Sequence, residues 1–155
     1  MFNRRGRFEE IRITETEASP EQLFKVFKIL GGKEGWLAWN FLWSIRKFVD
    51  RIAGGKRIVD SDRENLKKGD TMDCWRIEKF EEDRKILLRM TLKTPGEAWL
   101  KLESIPHNEK TFLVITAIFE PKGAWGYIYW YSVFPLHKYI FRDLGIAIID
   151  RAKYL

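Results

Sequence analysis

Residues 73–121 read DCWRIEKFEEDRKILLRMTLKTPGEAWLKLESIPHNEKTFLVITAIFEP. Within this stretch Ile86, Leu88, Met90 and Leu92 alternate with Leu87, Arg89, Thr91 and Lys93. Ala98, Leu100 and Leu102 alternate with Trp99, Lys101 and Glu103. A period of two sends successive side chains to opposite faces, so each run reads as a strand. A charged turn at Glu81–Arg84 precedes the first run. Thr94-Pro95-Gly96 turns the chain again, because proline presets φ and glycine accepts φ > 0. Pro106–Lys110 makes a further turn, between Asp73–Phe80 upstream and Thr111–Phe119 downstream, the latter apolar on both sides. Connections this short join antiparallel neighbours. The middle of the chain is therefore read as an antiparallel meander.

Upstream, Arg7–Ala18 reads as a strand, with Ile11 and Ile13 alternating against Arg12 and Thr14. Ser19, Pro20, Glu21 and Gln22 then form a capping-box pattern, with Ser at the N-cap, Pro at N1 and Gln at N3. Leu23, Val26, Phe27 and Leu30 follow at helical spacing, and Gly31-Gly32 stops the helix. A second helix is expected from Trp36 to Ile52, ending at Gly54-Gly55. At about 100° per residue, Leu37, Phe41, Ile45, Phe48 and Ile52 share one side, read as core-facing. Trp36, Trp39, Trp43, Arg46 and Asp50 share the other side. Three covers for these tryptophans are open: the following loop, the entrance of a cavity, or another protein. Residues 54–72 read as a long loop with a short strand at Ile58-Val59. Downstream, Leu136–Ala152 reads as a helix with Leu136, His137, Ile140, Phe141, Leu144, Ile148 and Ala152 on a broad apolar face. Pro135 should start or kink it, because proline in a helix interior costs roughly 3 kcal/mol.

A chain of 155 residues fits a single domain spanning 1–155. Hydrophobic residues at 45% and charged residues at 32% describe a folded, soluble protein. Arg4, Arg5 and Arg7 lead into Glu9 and Glu10 rather than an apolar run, so no secretory leader is expected. The longest stretch free of charged residues, Gly123–His137, is shorter than the roughly 20 apolar residues of a membrane-spanning helix. The only cysteine, Cys74, excludes an internal disulfide and a cysteine-rich metal site, and a cytoplasmic location is expected. Aromatic residues make up 15% of the chain, enough to line a pocket or an interface as well as a core. Of the net charge of +6, the window 46–68 supplies +4, with eight basic residues against four acidic ones. Such a window beside a cavity mouth would favour anionic ligands.

The element order is strand, two short helices, strand meander, long helix, which is α+β. A sheet of about six strands needs its apolar face covered, and one long helix laid across a curved sheet does this while leaving a cavity between them. The punctuation of the chain resembles a family of uncharacterised domains of the START-like (SRPBCC) helix-grip superfamily. The residues that carry the likeness include Gly31-Gly32, Gly35-Trp36, Leu42-Trp43, Asp50, Gly54-Gly55, Gly69-Asp70, Asp73 and Trp75-Arg76. Pro95–Leu100, Pro121, Gly123, Tyr129-Trp130, Pro135, His137 and Ile140-Phe141 complete it, over roughly residues 30–142. Members are often fused behind an NmrA-like NAD(P)-binding Rossmann domain. The resemblance implies a fold and a ligand cavity but no defined reaction. Here the Rossmann domain and any G-x-G-x-x-G motif are lacking, and the loop after Gly55 keeps only Lys56-Arg57 of a fuller arginine cluster.

On this reading the candidate ligand-binding residues are Trp75, Arg76, Glu97, Trp99, Trp130, His137 and Phe141. Trp36, Trp39, Trp43 and Arg46 are candidates for an interface or cavity entrance. His137 is either a core histidine with one polar partner or an anchor or general acid–base in the cavity. Glu97 is either a buried carboxylate facing Arg76 or Arg89, or a solvated turn residue. An inward Arg76 would suit a carboxylate or phosphate. His107 falls in a turn and reads as a surface residue. No metal and no cofactor are expected, since two histidines are too few for a His-based zinc site, and no P-loop, nucleophile elbow or H-E-x-x-H occurs. The leading function is binding of a hydrophobic or amphipathic small molecule or lipid. One alternative is an interaction module for a separate NAD(P)-binding Rossmann oxidoreductase, with a homodimer also open. The other is a polyketide cyclase or dehydratase-like enzyme using His137 with Arg76 or Glu97. Nucleic acid is excluded for want of an aromatic–basic strand motif.

Overall fold

The computed structural model describes residues 2–3, 6–55 and 60–155. The elements are β1 (Phe2–Asn3), β2 (Arg7–Thr16), α1 (Pro20–Ile29), α2 (Asn40–Ile52), β3 (Thr71–Met72), β4 (Trp75–Glu81), β5 (Lys85–Met90), β6 (Gly96–His107), β7 (Lys110–Pro121) and α3 (Gly123–Ala152). The strands form one antiparallel sheet in the order β1-β2-β7-β6-β5-β4-β3. The expected meander is β4 to β7. Five long strands, with two-residue strands at both edges, make seven where about six were expected. The expected strand at Ile58-Val59 lies outside the described residues.

Register explains which face is apolar. Leu88 pairs with Leu100 and Leu100 with Ala117, while Ile86 pairs with Leu102 and Leu102 with Ile115. Side chains that face each other across strands share a face, so these rows form a continuous apolar floor. That floor is buried under α1 and the C-terminal half of α3, where Phe24, Phe27, Leu144 and Ile148 are all fully or almost fully enclosed. The capping box forms as read, with the Gln22 amide donating to the Ser19 hydroxyl and the Ser19 amide to the Gln22 side chain.

The last helix differs from expectation. It begins at Gly123, not Leu136, and carries Pro135 in its interior over a total of 30 residues. Pro135 lacks the N–H that would bond the Tyr131 carbonyl. Both residues are exposed, so water can satisfy that carbonyl. The added N-terminal half carries Trp130 against Phe8 and Phe119, a second core cluster under the β2–β7 end of the sheet. Gly126 makes this approach feasible: a Cβ there would lie 2.4 Å from the Pro95 carbonyl oxygen and 2.7 Å from Pro121 Cβ.

Helix α2 differs in both its start and its orientation. It begins at Asn40, because Leu37 (φ 63) and Trp39 (φ 55) take left-handed conformations that a continuous helix forbids. Asn40 Oδ1 instead accepts from the Trp36 amide at 2.7 Å. Most of the expected core stripe is not in the core: Phe41, Ile45, Phe48 and Ile52 are each more than half exposed, while Leu37, ahead of the helix, is half-buried against the core. The tryptophan side turns inward. Trp36 is buried, stacks on Trp43 at 5.0 Å between centroids and meets Trp75 edge-on. The physical reason is polar as well as apolar. Trp36 Nε1 donates to Asp73 Oδ2 at 2.8 Å, Lys47 Nζ pairs with Asp73 Oδ1 at 3.0 Å, and Trp39 Nε1 donates to Asp143 Oδ2 of α3 at 2.8 Å. An aliphatic side turned inward would leave those donors unpaired. Among the described residues, Trp75 of β4, Asp73 and Asp143 of α3 meet the tryptophans; residues 56–59 of the following loop lie outside the described residues.

Candidate functional site

Tied to the β3–β4 corner by Asp73 and to α3 by Trp39, α2 stands away from the sheet floor. The N-terminal half of α3 forms a facing wall. Between the two helices and the sheet lies a cavity of about 400 Å³. Leu42, Arg46 and Val49 line it from α2, Tyr129, Val133 and His137 from α3, and Trp75, Met90 and Ala117 from the sheet. The lining is overwhelmingly apolar, as small-molecule pockets are.

Besides Asp50 and Lys93, polar atoms of Arg46, Tyr129, Trp75 and His137 interrupt it. Arg46 donates through Nη1 to the Tyr129 hydroxyl oxygen, and its guanidinium lies 5.4 Å from the Tyr129 ring centroid. Arg46 Nε, Trp75 Nε1 and His137 Nδ1 are buried and have no hydrogen-bond partner. Buried polar atoms are ordinarily paired, so three orphans on residues that line one cavity, one each from α2, β4 and α3, mark it as a place for a missing partner. Burial drives the His137 pKa down to about 4, and the positive charge of Arg46 acts in the same direction. At neutral pH this imidazole is uncharged. It packs edge-on between Trp130 and Phe141, 5.6 and 5.3 Å away.

The sequence-selected residues divide. Trp75, Trp130, His137 and Phe141 line the cavity, as do Trp43 and Arg46. Trp36 lies in the core behind Trp43, and Trp39 is fixed to α3 outside the main cavity, beside a shallow depression with Leu37 and Ile146. Arg76 points away from the cavity, because strand alternation places it opposite its buried neighbours Trp75 and Ile77. Trp99 contributes to the cavity boundary, but its indole belongs to the outer face of the sheet. There Nε1 donates to Glu78 at 3.1 Å and Arg89 covers the ring at 5.8 Å. Glu97 is on that outer face too, bonded to Arg89 at 2.8 Å and Lys122 at 3.2 Å. The hydrogen bond from Lys122, with Arg89 nearby, holds its carboxyl below the usual range. Neither Arg76 nor Glu97 is brought to His137. His107, at the end of β6, is exposed.

The basic window also divides. Arg46 and Asp50 line the cavity, Lys47 pairs with Asp73, and Arg63 donates to the Lys28 and Leu30 carbonyls at the end of α1. Lys56 and Arg57 lie outside the described residues. Tyr129, Met90, Phe119 and Ile140 were not selected from sequence as site residues, yet they line the cavity. The alternation of Met90 with Arg89 and the spacing of Tyr129, Val133 and His137 were the available signals. Among the described residues no group of three or more His, Cys, Asp or Glu could hold a metal ion, and no helix is long and apolar enough to cross a membrane.

A family model described as a protein of unknown function, DUF2867, matches residues 3–144. The chain belongs to the DUF2867 family. Among curated proteins none matches its sequence. Several solved structures share its architecture at low identity. Truncated norcoclaurine synthase from Thalictrum flavum is 11% identical with a TM-score of 0.55, the match covering 92% of this chain and 91% of that one. Ara h 8.0201 is 11% identical with a TM-score of 0.51, covering 94% and 99%. The di-domain ARO/CYC StfQ of steffimycin biosynthesis is 9% identical with a TM-score of 0.56, covering 96% of this chain and 51% of that one. Identities this low establish the fold, the START-like helix grip, and no more.

Proposed function

We propose that this DUF2867 chain binds a hydrophobic or amphipathic small molecule in the cavity between α2, α3 and the sheet. The observation that carries this reading is the cavity itself: about 400 Å³, largely apolar, with a few polar groups contributed by α2, the sheet and α3. Pockets that hold organic ligands span roughly 300–1,000 Å³ and combine apolar walls with a few placed polar groups. The fold is shared with norcoclaurine synthase and an ARO/CYC protein, which adds support without naming a ligand. A cyclase-like reaction has less in its favour, because the partners considered for His137, Arg76 and Glu97, lie on the other face of the sheet. The same reading keeps the chain in the cytoplasm, where the lone thiol would stay reduced. The test is native mass spectrometry of freshly purified protein beside its Ala117→Phe variant, whose added ring would occupy the cavity. A retained small molecule in the parent and none in a folded variant is the expected result. Equal retention in both would end the proposal.

A second reading rests on the exposed apolar stripe of α2, Phe41, Phe48 and Ile52 above all. Contiguous patches of this kind on soluble proteins commonly serve contact, and a second copy of this chain is the occupant we assign. No feature of the described residues speaks for a Rossmann partner. Sedimentation at about 10 µM reads this directly, since complex lifetimes and populations follow mass action. A monomer would remove the dimer reading and leave the cavity reading untouched.

A further inference from the structure

The polar groups that line the cavity share a chemical sense. Arg46 has only donors, and Trp75 Nε1 is only a donor. Tyr129 already accepts from Arg46 through its oxygen, so its own O–H proton is free to be given elsewhere. Neutral His137 can place a proton on Nδ1. The one carboxylate on the lining, Asp50, accepts through Oδ1 from the Lys93 amide at 2.7 Å. Among the described residues Arg46 has no carboxylate partner of any kind. A half-buried cation without a counter-charge is costly, and the cost is offset when an anion enters.

Geometry narrows the anion. Nη1 of Arg46 is committed to Tyr129, so the free edge is the one formed by Nε and Nη2. Two parallel N–H groups on that edge match the two oxygens of a planar carboxylate. Resting on the cavity reading above, we propose that the natural ligand is a monocarboxylate amphiphile whose head is gripped by the Nε–Nη2 edge of Arg46. Trp75 Nε1, the Tyr129 hydroxyl and His137 Nδ1 supply neutral donors around it. The hydrocarbon body occupies the space between Leu42, Val133 and Met90. Lys93, the other cation on the lining, is engaged through Nζ with the Ala53 carbonyl at 3.1 Å, so a dianionic head would find one free guanidinium and neutral donors, which leaves it under-neutralised.

The experiment uses the full chain at pH 7.5 with two probes of equal length, dodecanoate and 1-dodecanol. Binding is followed through quenching of tryptophan emission, to which Trp43, Trp75 and Trp130 of the cavity contribute, loss of that quenching in the Ala117→Phe variant localises the probe, and Kd is measured by calorimetry. The parent should bind dodecanoate at least tenfold more tightly than dodecanol. Arg46→Gln should bring dodecanoate to the level of dodecanol while leaving dodecanol binding within about twofold. Arg46→Lys, which keeps the charge and loses the fork, should fall between them and guards against a glutamine variant that does not fold. Equal affinity of the parent for both probes, or a preference that survives in a folded Arg46→Gln protein, would overturn the carboxylate assignment alone. No quenching by either probe would overturn the cavity reading and this assignment together.

Discussion

His137 is held as a neutral base in a place where its protonated form would meet apolar rings and the Arg46 guanidinium. Its pKa falls from 6.5 to about 4 on folding. Between those values the unfolded chain takes up the proton more readily than the folded one. Stability should therefore be level above pH 6.5 and fall as pH drops toward 4. A shift of this size corresponds to about 3 kcal/mol at most. Urea unfolding of the parent and His137→Gln at pH 7.5 and 4.5 isolates this contribution from other titrating groups. The variant should lose less stability between the two pH values than the parent does. Identical slopes would mean that His137 is not buried as described. Cys74 offers a second check at this scale, because burial raises its thiol pKa far above the ordinary value. It should ignore a thiol reagent such as DTNB in native protein and react fully in denaturant, since the thiolate is the reactive form.

At the scale of the element, α2 has two apolar faces and the fold had to choose one. Trp36→Phe removes the donor to Asp73, whose side chain is largely enclosed. Leaving a buried acceptor short of a partner costs roughly 1–3 kcal/mol. Phe48→Ser, on the exposed face, should change stability by no more than about 0.5 kcal/mol. Thermal melts of the two variants would refute the orientation of α2 if their ranking were reversed. The strands of the meander were legible because a period of two is a local property, written in Ile86, Leu88, Leu100 and Leu102 themselves. The orientation of α2 was not, because it depends on Asp73, Trp75 and Asp143, which are remote in sequence. The first half of α3 was obscured by Pro135 and by a solvent-facing surface that carries aromatic rather than charged residues. Of the cavity, His137 could be placed from helix periodicity once the fold class was in hand, whereas Trp130 came only with the family resemblance. Arg46 was placed with the tryptophans at an interface or cavity entrance, and strand parity that should have turned Arg76 and Trp99 outward was outweighed by their chemistry.

For the whole molecule, the cavity exists because α3 is fixed at both ends and α2 is fixed to it. The C-terminal half of α3 is fixed by the main core and the N-terminal half by the close passage of Gly126 over Pro95 and Pro121. Alanine normally stabilises a helix interior by about 1 kcal/mol relative to glycine. Here its Cβ would meet a carbonyl oxygen at 2.4 Å, so the clash should win. Gly126→Ala is expected to be destabilised by about 1–3 kcal/mol, the usual cost of overpacking, and to bind dodecanoate less tightly because the α3 wall must shift. A raised melting temperature would show that the helix does not approach the turn this closely.

The pairing of β2 with β7 also has a consequence in time. Phe8 faces Phe119, 111 positions further along the chain. Ribosomes add roughly 5–20 residues per second, so the nascent β2 waits roughly 5–20 s before its partner strand exists. During that wait Ile11 and Ile13 alternate along an unpaired edge, the arrangement most prone to joining another chain. The charged residues interleaved with them, Glu10 and Arg12, stand where they would blunt such joining while the rest of the sheet is still being made.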